Sequence, residues 1–215
     1  MTEASAPARN LTLATISFAV CFAIWGLISA FAPAFRAELH LSATDAAFLV
    51  AVPVILGSLA RIPMGMLTDR FGGRTVFTVL MVFSAGAAAV VPLAGSFRQL
   101  VTFGFLLGMA GSSFAIGIGY VSRWYPPEKQ GTALGIYGIG NIGQSAAVFL
   151  GPAIAASLGR RSVFYGISVL TAVWAAGFAL LARDAPHTRP PSGLGPMLRV
   201  LATERLSWAL SAFTS

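Results

Sequence analysis

The 215-residue chain is far more apolar than a water-soluble protein, since 56% of its residues are hydrophobic and only 10% are charged. About a quarter of the residues in soluble domains are charged, so this composition excludes an ordinary soluble fold. The formal net charge is +7, but the basic residues stand singly between apolar stretches. That distribution lacks the contiguous basic patch of a nucleic-acid-binding protein, and no nucleic-acid partner is expected.

Six stretches nearly free of charge are long enough to cross a bilayer, because a helix needs about 20 apolar residues to do so. They predict spans near residues 11–34, 46–68, 75–95, 99–122, 131–157 and 162–182. The first stretch is too long for the apolar region of a signal peptide, which has roughly 7 to 15 residues. The short connections between the stretches predict an all-α membrane protein, a six-helix transmembrane bundle with the lipid bilayer as its surroundings.

The basic residues predict the orientation of this bundle. If the N-terminus is cytoplasmic, the inside segments hold nine of the 14 Lys and Arg residues, the outside segments hold four, and Arg61 lies within the membrane. The inside residues are Arg9, Arg70, Arg74, Arg123, Lys129, Arg183, Arg189, Arg199 and Arg205. The positive-inside rule therefore predicts a multi-pass protein of the cell membrane, inner or plasma, with both termini in the cytoplasm.

Four segments follow from this pattern. Residues 1–10 form a cytoplasmic tail, 11–182 the six-helix domain, and 183–205 a polar, proline-rich linker. Apolar residues return at 206–215, but these ten positions are half of what a crossing requires. We therefore expect the chain to be truncated at the start of a seventh helix.

Arg61 is the only side chain inside the predicted spans that is charged at neutral pH. It precedes Asp69 by eight residues, about 12 Å of helix, which places it near the middle of the membrane. A lone Arg there costs about 2.5 to more than 10 kcal/mol unless water, a counter-charge or a ligand compensates for it. The spans contain no acid, so we expect a substrate anion to be its partner. The alternative is a structural Arg bonded to backbone carbonyls or to a missing partner segment.

The guanidinium favours a small planar oxyanion, because its flat fork donates paired hydrogen bonds that the point charge of Lys cannot match. Asn141 could donate an amide hydrogen bond and the ring of Phe114 could lie against a planar ion. Packing and interhelical hydrogen bonding are the alternative roles for these two residues. In the glycine-rich fifth span, spacings such as Gly131 and Gly135 predict close approach of neighbouring helices on two sides, or simply a tightly packed central helix.

The loop at residues 65–74, GMLTDRFGGR, resembles the G-x-L-x-D-R-x-G-x-R loop between helices two and three of the major facilitator superfamily. The resemblance implies a cytoplasmic latch between two transporter halves, with Asp69 acting on helix ends and arginines of the other half. The latch residues are Gly65, Asp69, Arg70, Gly73, Arg74 and Arg123. A solvated basic loop is the alternative.

Three further segments are similar to the nitrate/nitrite porters of that superfamily, namely 111–114, 123–131 and 138–143, and so is the run Arg61-Ile62-Pro63. The resemblance implies that Arg61 binds the anion, that Phe114 lies beside it, and that Asn141 belongs to the nitrate signature with Gly138 and Gly140. Family members have about twelve helices and a second arginine in their second half. This chain would supply the first half and therefore only half of the anion clamp. It would need a second half-transporter or another copy of itself.

The expected function is therefore half of a secondary transporter for nitrate or nitrite, taken up or exchanged as the bundle rocks against a second one. A proton-coupled drug or sugar carrier of the same superfamily and a nonfunctional or split half are the alternatives. An enzyme is not expected, since the spans hold no His, Asp or Glu. No metal site and no cofactor are predicted. The sequence leaves open nitrate against nitrite, direction and coupling.

Overall fold

The computed structural model describes residues 6–186, which form six helical spans in an up-and-down bundle. All six are long and apolar enough to cross a membrane, which confirms the predicted fold class. Their bounds are Ala6–Glu38, Ala43–Phe71, Gly73–Leu93, Phe97–Ser122, Pro127–Leu158 and Arg160–Leu181. The predicted linker beyond Pro186 and the predicted start of a seventh helix at 206–215 lie outside the described residues.

The first span begins at Ala6, so part of the segment predicted as a cytoplasmic tail is helical. Asn10 is fully buried, and its side-chain amide donates to the Ala6 carbonyl 2.9 Å away. A buried polar side chain needs hydrogen-bond partners, and here the helix itself supplies one. The helix start does not locate the membrane surface, so the tail boundary at residue 10 stays a prediction.

The first span is the most buried of the six and forms the centre of the bundle, whereas the fifth is largely exposed. Within the described bundle the fifth span is therefore not the central helix, although it packs closely on the first span. Its predicted close contacts also lie elsewhere, since no heavy atom comes within 4 Å of a Cβ built on Gly131 or Gly135. The close approach is at Gly143, where a Cβ would lie 1.9 Å from the carbonyl oxygen of Ala19 in the first span.

The second, fourth and fifth spans are each interrupted near the middle. The second breaks at Ala60, while the fourth and fifth contain 3-10 turns at Met109–Ser112 and Ile139–Asn141. Pro63 explains the first break, because it has no N–H for the Leu59 carbonyl and its ring crowds that carbonyl. Short 3-10 segments within longer helices often mark hinges or functional sites.

All three interruptions lie at the same depth. Each is ten to twelve residues, about 15–18 Å of helix, from the end of its span near Phe71, Ser122 or Pro127. These three ends lie on one side of the bundle, since the spans alternate in direction. The irregular backbone of the bundle therefore forms a single layer, and Arg61, Phe114 and Asn141 all belong to it or directly adjoin it.

Candidate functional site

Arg61 begins the helix Arg61–Phe71, directly after the break at Ala60. Its guanidinium carbon lies over the ring of Phe114, 5.5 Å from the ring centre. Phe114 lies just beyond the 3-10 turn of the fourth span. The structure thus brings together two of the residues that the sequence predicted for the site, each at a helix interruption.

Within residues 6–186 the two ion pairs are Arg123 with Asp69 and Arg160 with Glu38, so Arg61 has no carboxylate partner there. Arg36, Arg74 and Arg123 donate to main-chain oxygens, but Arg61 makes no such bond to the described part of the chain. The hydrogen-bonding edge of the guanidinium is consequently open, while the ring of Phe114 provides a cation–π contact.

The second and fourth spans cross closely near Arg61 and Phe114, and this crossing determines how far apart the two side chains lie. A Cβ on Gly108 would lie 2.6 Å from the Pro53 carbonyl oxygen, and one on Gly111 would lie 3.3 Å from the Cα of Gly57. Trp25 of the first span closes the crossing by donating from its indole nitrogen to the Pro53 carbonyl, at 3.3 Å. Because Gly57 is one turn before Arg61, and Gly111 one turn before Phe114, this contact determines how far apart the two side chains lie.

The three predicted residues of the fifth span have different surroundings. Asn141 is exposed and ends the 3-10 turn, with no hydrogen bond to Arg61 or Phe114 among the described contacts. Gly138 faces open space, as no atom lies within 4 Å of its Cβ position. Gly140 instead packs on the first span, where a Cβ would lie 2.4 Å from the ring of Phe18. Close helix packing therefore accounts for this glycine.

The predicted latch residues lie at the end of the second span and the start of the third, except Arg123, which directly follows the fourth. Asp69 accepts from the Arg123 guanidinium at 2.6 Å, and Arg123 also lies 3.4 Å from the Thr68 carbonyl. The resemblance implied partners for Asp69 in another half, but in the described structure its arginine partner belongs to the same bundle. Arg70 lies over the ring of Phe71, 5.2 Å from its centre.

Asp184 contacts the predicted latch loop and was not predicted from the sequence. Its carboxylate accepts from the backbone N–H of Arg74 at 3.0 Å, at the N-terminus of the third span, where negative charge is stabilised. The Arg74 side chain donates to the Ala179 carbonyl at 2.8 Å, which ties the third span to the sixth. The signal available in the sequence was a carboxylate two residues after the predicted end of the sixth span at residue 182.

The tight turn between the second and third spans packs closely on Asp184 and Tyr120. Gly72 has φ +83°, a conformation that favours glycine, and a Cβ there would lie 2.6 Å from the Asp184 carboxylate. A Cβ on Gly73 would lie 2.5 Å from the ring of Tyr120. By contrast, nothing lies within 4 Å of the Cβ position of Gly65.

Two solved structures share this architecture. A bacterial homologue of the human lysosomal transporter Spinster aligns with a TM-score of 0.68 and 19% identity, covering 85% of this chain and 46% of its own. The xylose transporter XylE from E. coli aligns with a TM-score of 0.65 and 18% identity, covering 93% of this chain and 53% of its own. The six-helix bundle is therefore about half of a transporter fold.

The family model described as Major Facilitator Superfamily matches residues 13–215, and the chain belongs to that superfamily. Its relatives include a "Probable nitrate/nitrite antiporter NarK1" of Thermus thermophilus, 42% identical over 74% of this chain and 36% of the relative. A "Probable nitrate/nitrite transporter NarK2" of Mycobacterium tuberculosis is 36% identical over 95% of this chain and 53% of its own. A "Nitrite extrusion protein" of Bacillus subtilis is 35% identical over 95% and 51% respectively.

These relatives confirm the resemblance to the nitrate/nitrite porters that the motifs indicated. The chain spans about half the length, or less, of the curated relatives it matches.

Proposed function

We propose that this chain is half of a secondary transporter for nitrate or nitrite, with Arg61 as the anion-binding residue. The observation that carries the proposal is the open guanidinium of Arg61 over Phe114, without a carboxylate or backbone acceptor in the described residues. Such a charge in the membrane requires compensation, and a small anion supplies it. The names of the relatives give the chemical class of that anion.

The contact with Phe114 gives the site its shape preference. The ring occupies one side of the guanidinium, so an anion binds along the free N–H edge, where two nearly parallel hydrogen bonds suit two oxygens of a flat ion. Nitrate and nitrite both present such a pair of oxygens. Asn141 and the open face at Gly138 complete the wall on the fifth span.

The other wall comes from a second six-helix bundle. Rocking of the two bundles against each other exposes Arg61 alternately to each side of the membrane. Both termini are cytoplasmic, since this orientation puts the basic latch residues inside. The Asp69–Arg123 pair then lies on the cytoplasmic side, where it holds together the ends of the second and fourth spans.

Competition for nitrate binding tests this proposal on the chain itself. Nitrate bound to the purified chain in proteoliposomes is displaced with nitrite or with perchlorate, a tetrahedral anion of the same charge. We expect nitrite to displace nitrate and perchlorate to compete poorly, because a tetrahedral ion fits the flat fork less well. Equal competition by perchlorate and nitrite would contradict the assignment of a planar-oxyanion site.

A further inference from the structure

Tyr137 of the fifth span is fully buried and contacts the fourth span at its irregular turn. Its hydroxyl donates to the carbonyl oxygen of Ser113 at 2.9 Å, and Ser113 is itself fully buried. Ser113 is the first residue after the 3-10 turn Met109–Ser112. The bond therefore joins the fifth span to the fourth at the interruption beside the anion site.

The fourth span leaves a gap for this hydroxyl. Gly117 lies one turn after Ser113 on the same face, and a Cβ there would lie 2.0 Å from both Cζ and Oη of Tyr137. Any larger residue at this position would displace the phenol. The hydroxyl of a buried Tyr normally makes a hydrogen bond. Here Gly117 leaves the space for the hydroxyl, and the Ser113 carbonyl is its acceptor.

The ring of Tyr137 also contacts the aromatic residues around the site. It stacks on Phe18 with a centroid distance of 4.7 Å and an interplanar angle of 20°, and its centre lies 6.5 Å from that of Phe114. Phe114 in turn lies under Arg61. Arg61, Phe114 and Tyr137 thus form a continuous row across the second, fourth and fifth spans.

The hydrogen bond acts on the peptide from which Phe114 projects. The carbonyl that accepts from Tyr137 belongs to the Ser113–Phe114 peptide group. Fixing that carbonyl fixes the plane of the peptide, and with it the direction in which the Phe114 side chain leaves the backbone. A 3-10 turn directly before this peptide makes the additional bond useful, since hydrogen-bond geometry in such turns is poorer than in an α-helix.

We propose that Tyr137 is a positioning residue, whose hydroxyl holds Phe114 beneath the Arg61 guanidinium through the Ser113 carbonyl. The proposal rests on the proposed anion site but assigns Tyr137 no contact with the anion. Tyr137 is also one turn before Asn141, so the same bond sets the position of the fifth-span wall relative to Phe114. Both consequences come from a single hydroxyl group.

Tyr137→Phe tests this role, since it keeps the ring and removes only the hydroxyl. We expect the dissociation constant for nitrate, measured by calorimetry on the purified full chain, to rise about fivefold. In a Phe114→Leu background the same substitution should change the constant no further, because its effect passes through Phe114. Tyr165→Phe, on a partly exposed tyrosine of the sixth span, is the matched control and should leave the constant unchanged.

A second measurement is independent of nitrate. With 4-fluorophenylalanine at position 114 alone, we expect one narrow fluorine resonance in the otherwise unchanged chain and a shifted, broadened one after Tyr137→Phe. Gly117→Ala, which displaces the phenol, should move the resonance as well. An unchanged resonance in both variants, or additive effects of Tyr137→Phe and Phe114→Leu on nitrate binding, would overturn the positioning role. If the chain binds no nitrate but the resonance moves, the proposed function fails and the positioning role stands.

Discussion

Arg61 and Phe114 lie on different spans, with the guanidinium carbon of one 5.5 Å from the ring centre of the other. A cation at this distance from a ring gains about 0.5–2 kcal/mol, depending on desolvation. That is less than the cost of an uncompensated arginine in the middle of a membrane. The contact therefore orients the guanidinium and offsets only part of the cost of its charge in the membrane.

The contact between the first and fifth spans at Gly143 should tolerate no side chain. Gly143→Ala places a methyl group 1.9 Å from the Ala19 carbonyl oxygen, and overpacking of this kind costs about 1–3 kcal/mol. Cys21 is fully buried and is the chain's only cysteine, so a thiol-reactive dye reports unfolding. Measured with this dye, the unfolding midpoint of Gly143→Ala should be clearly lower than that of the unaltered chain. Gly166→Ala is the control, since nothing lies within 4 Å there, and an equal midpoint for both variants would refute the packing argument.

The Asp69–Arg123 ion pair should stabilise the bundle modestly and in a salt-dependent way. The Asp69 side chain is 37% exposed and that of Arg123 13% exposed, so solvent screens the pair in part. Asp69→Asn should lower stability by about 1 kcal/mol at low salt and by less at high salt. Unfolding midpoints of both proteins at two salt concentrations check this.

Arg70→Gln is the control for that experiment. The guanidinium of Arg70 contacts the exposed ring of Phe71 rather than a carboxylate in the described structure. Its substitution should shift the midpoint little at either salt concentration. If Asp69→Asn lowered stability equally at both salt concentrations, something other than the ion pair would be responsible.

Asn10 should be essential to the packing of the first span. Its side-chain oxygen accepts from the backbone N–H of Arg183 at 2.9 Å and lies 2.7 Å from the hydroxyl of Tyr120. Asn10→Ala removes this acceptor from a buried site, and we expect a loss of about 1–3 kcal/mol in unfolding free energy. The same dye assay measures it. Thr12→Ala, at an exposed position whose hydroxyl bonds only within its own helix, should have little effect, and similar losses for both would contradict the network.

The six spans could be predicted because a bilayer requires long apolar stretches and the charges of this chain stand between them. Arg61 could be found for the same reason, because a lone charge in an apolar stretch is costly and marks a candidate functional residue. Phe114 was expected beside the anion, from its flat ring and from the family resemblance, but its contact with the guanidinium was not predicted.

Contacts between spans were harder to predict because membrane helices are apolar all round. In a soluble helix the polar face shows how it is rotated, but the first span has no polar face from which to judge. Gly131 and Gly135 were therefore predicted to pack closely on a neighbouring helix. In the structure, Gly140 and Gly143 make the close contacts with the first span. Tyr137 was missed for the same reason, since its partner Ser113 lies 24 residues away on another span.

The nitrate affinity of Arg61→Lys tests the central claim most directly, because lysine keeps the charge and loses the planar fork. Calorimetric titration of the purified full chain should show the dissociation constant rising about tenfold or more, as paired charge-assisted hydrogen bonds are lost. Arg98→Lys, at an exposed position near the start of the fourth span, should bind nitrate like the unaltered chain. An unchanged dissociation constant for Arg61→Lys would contradict the account of Arg61 as the anion-binding residue.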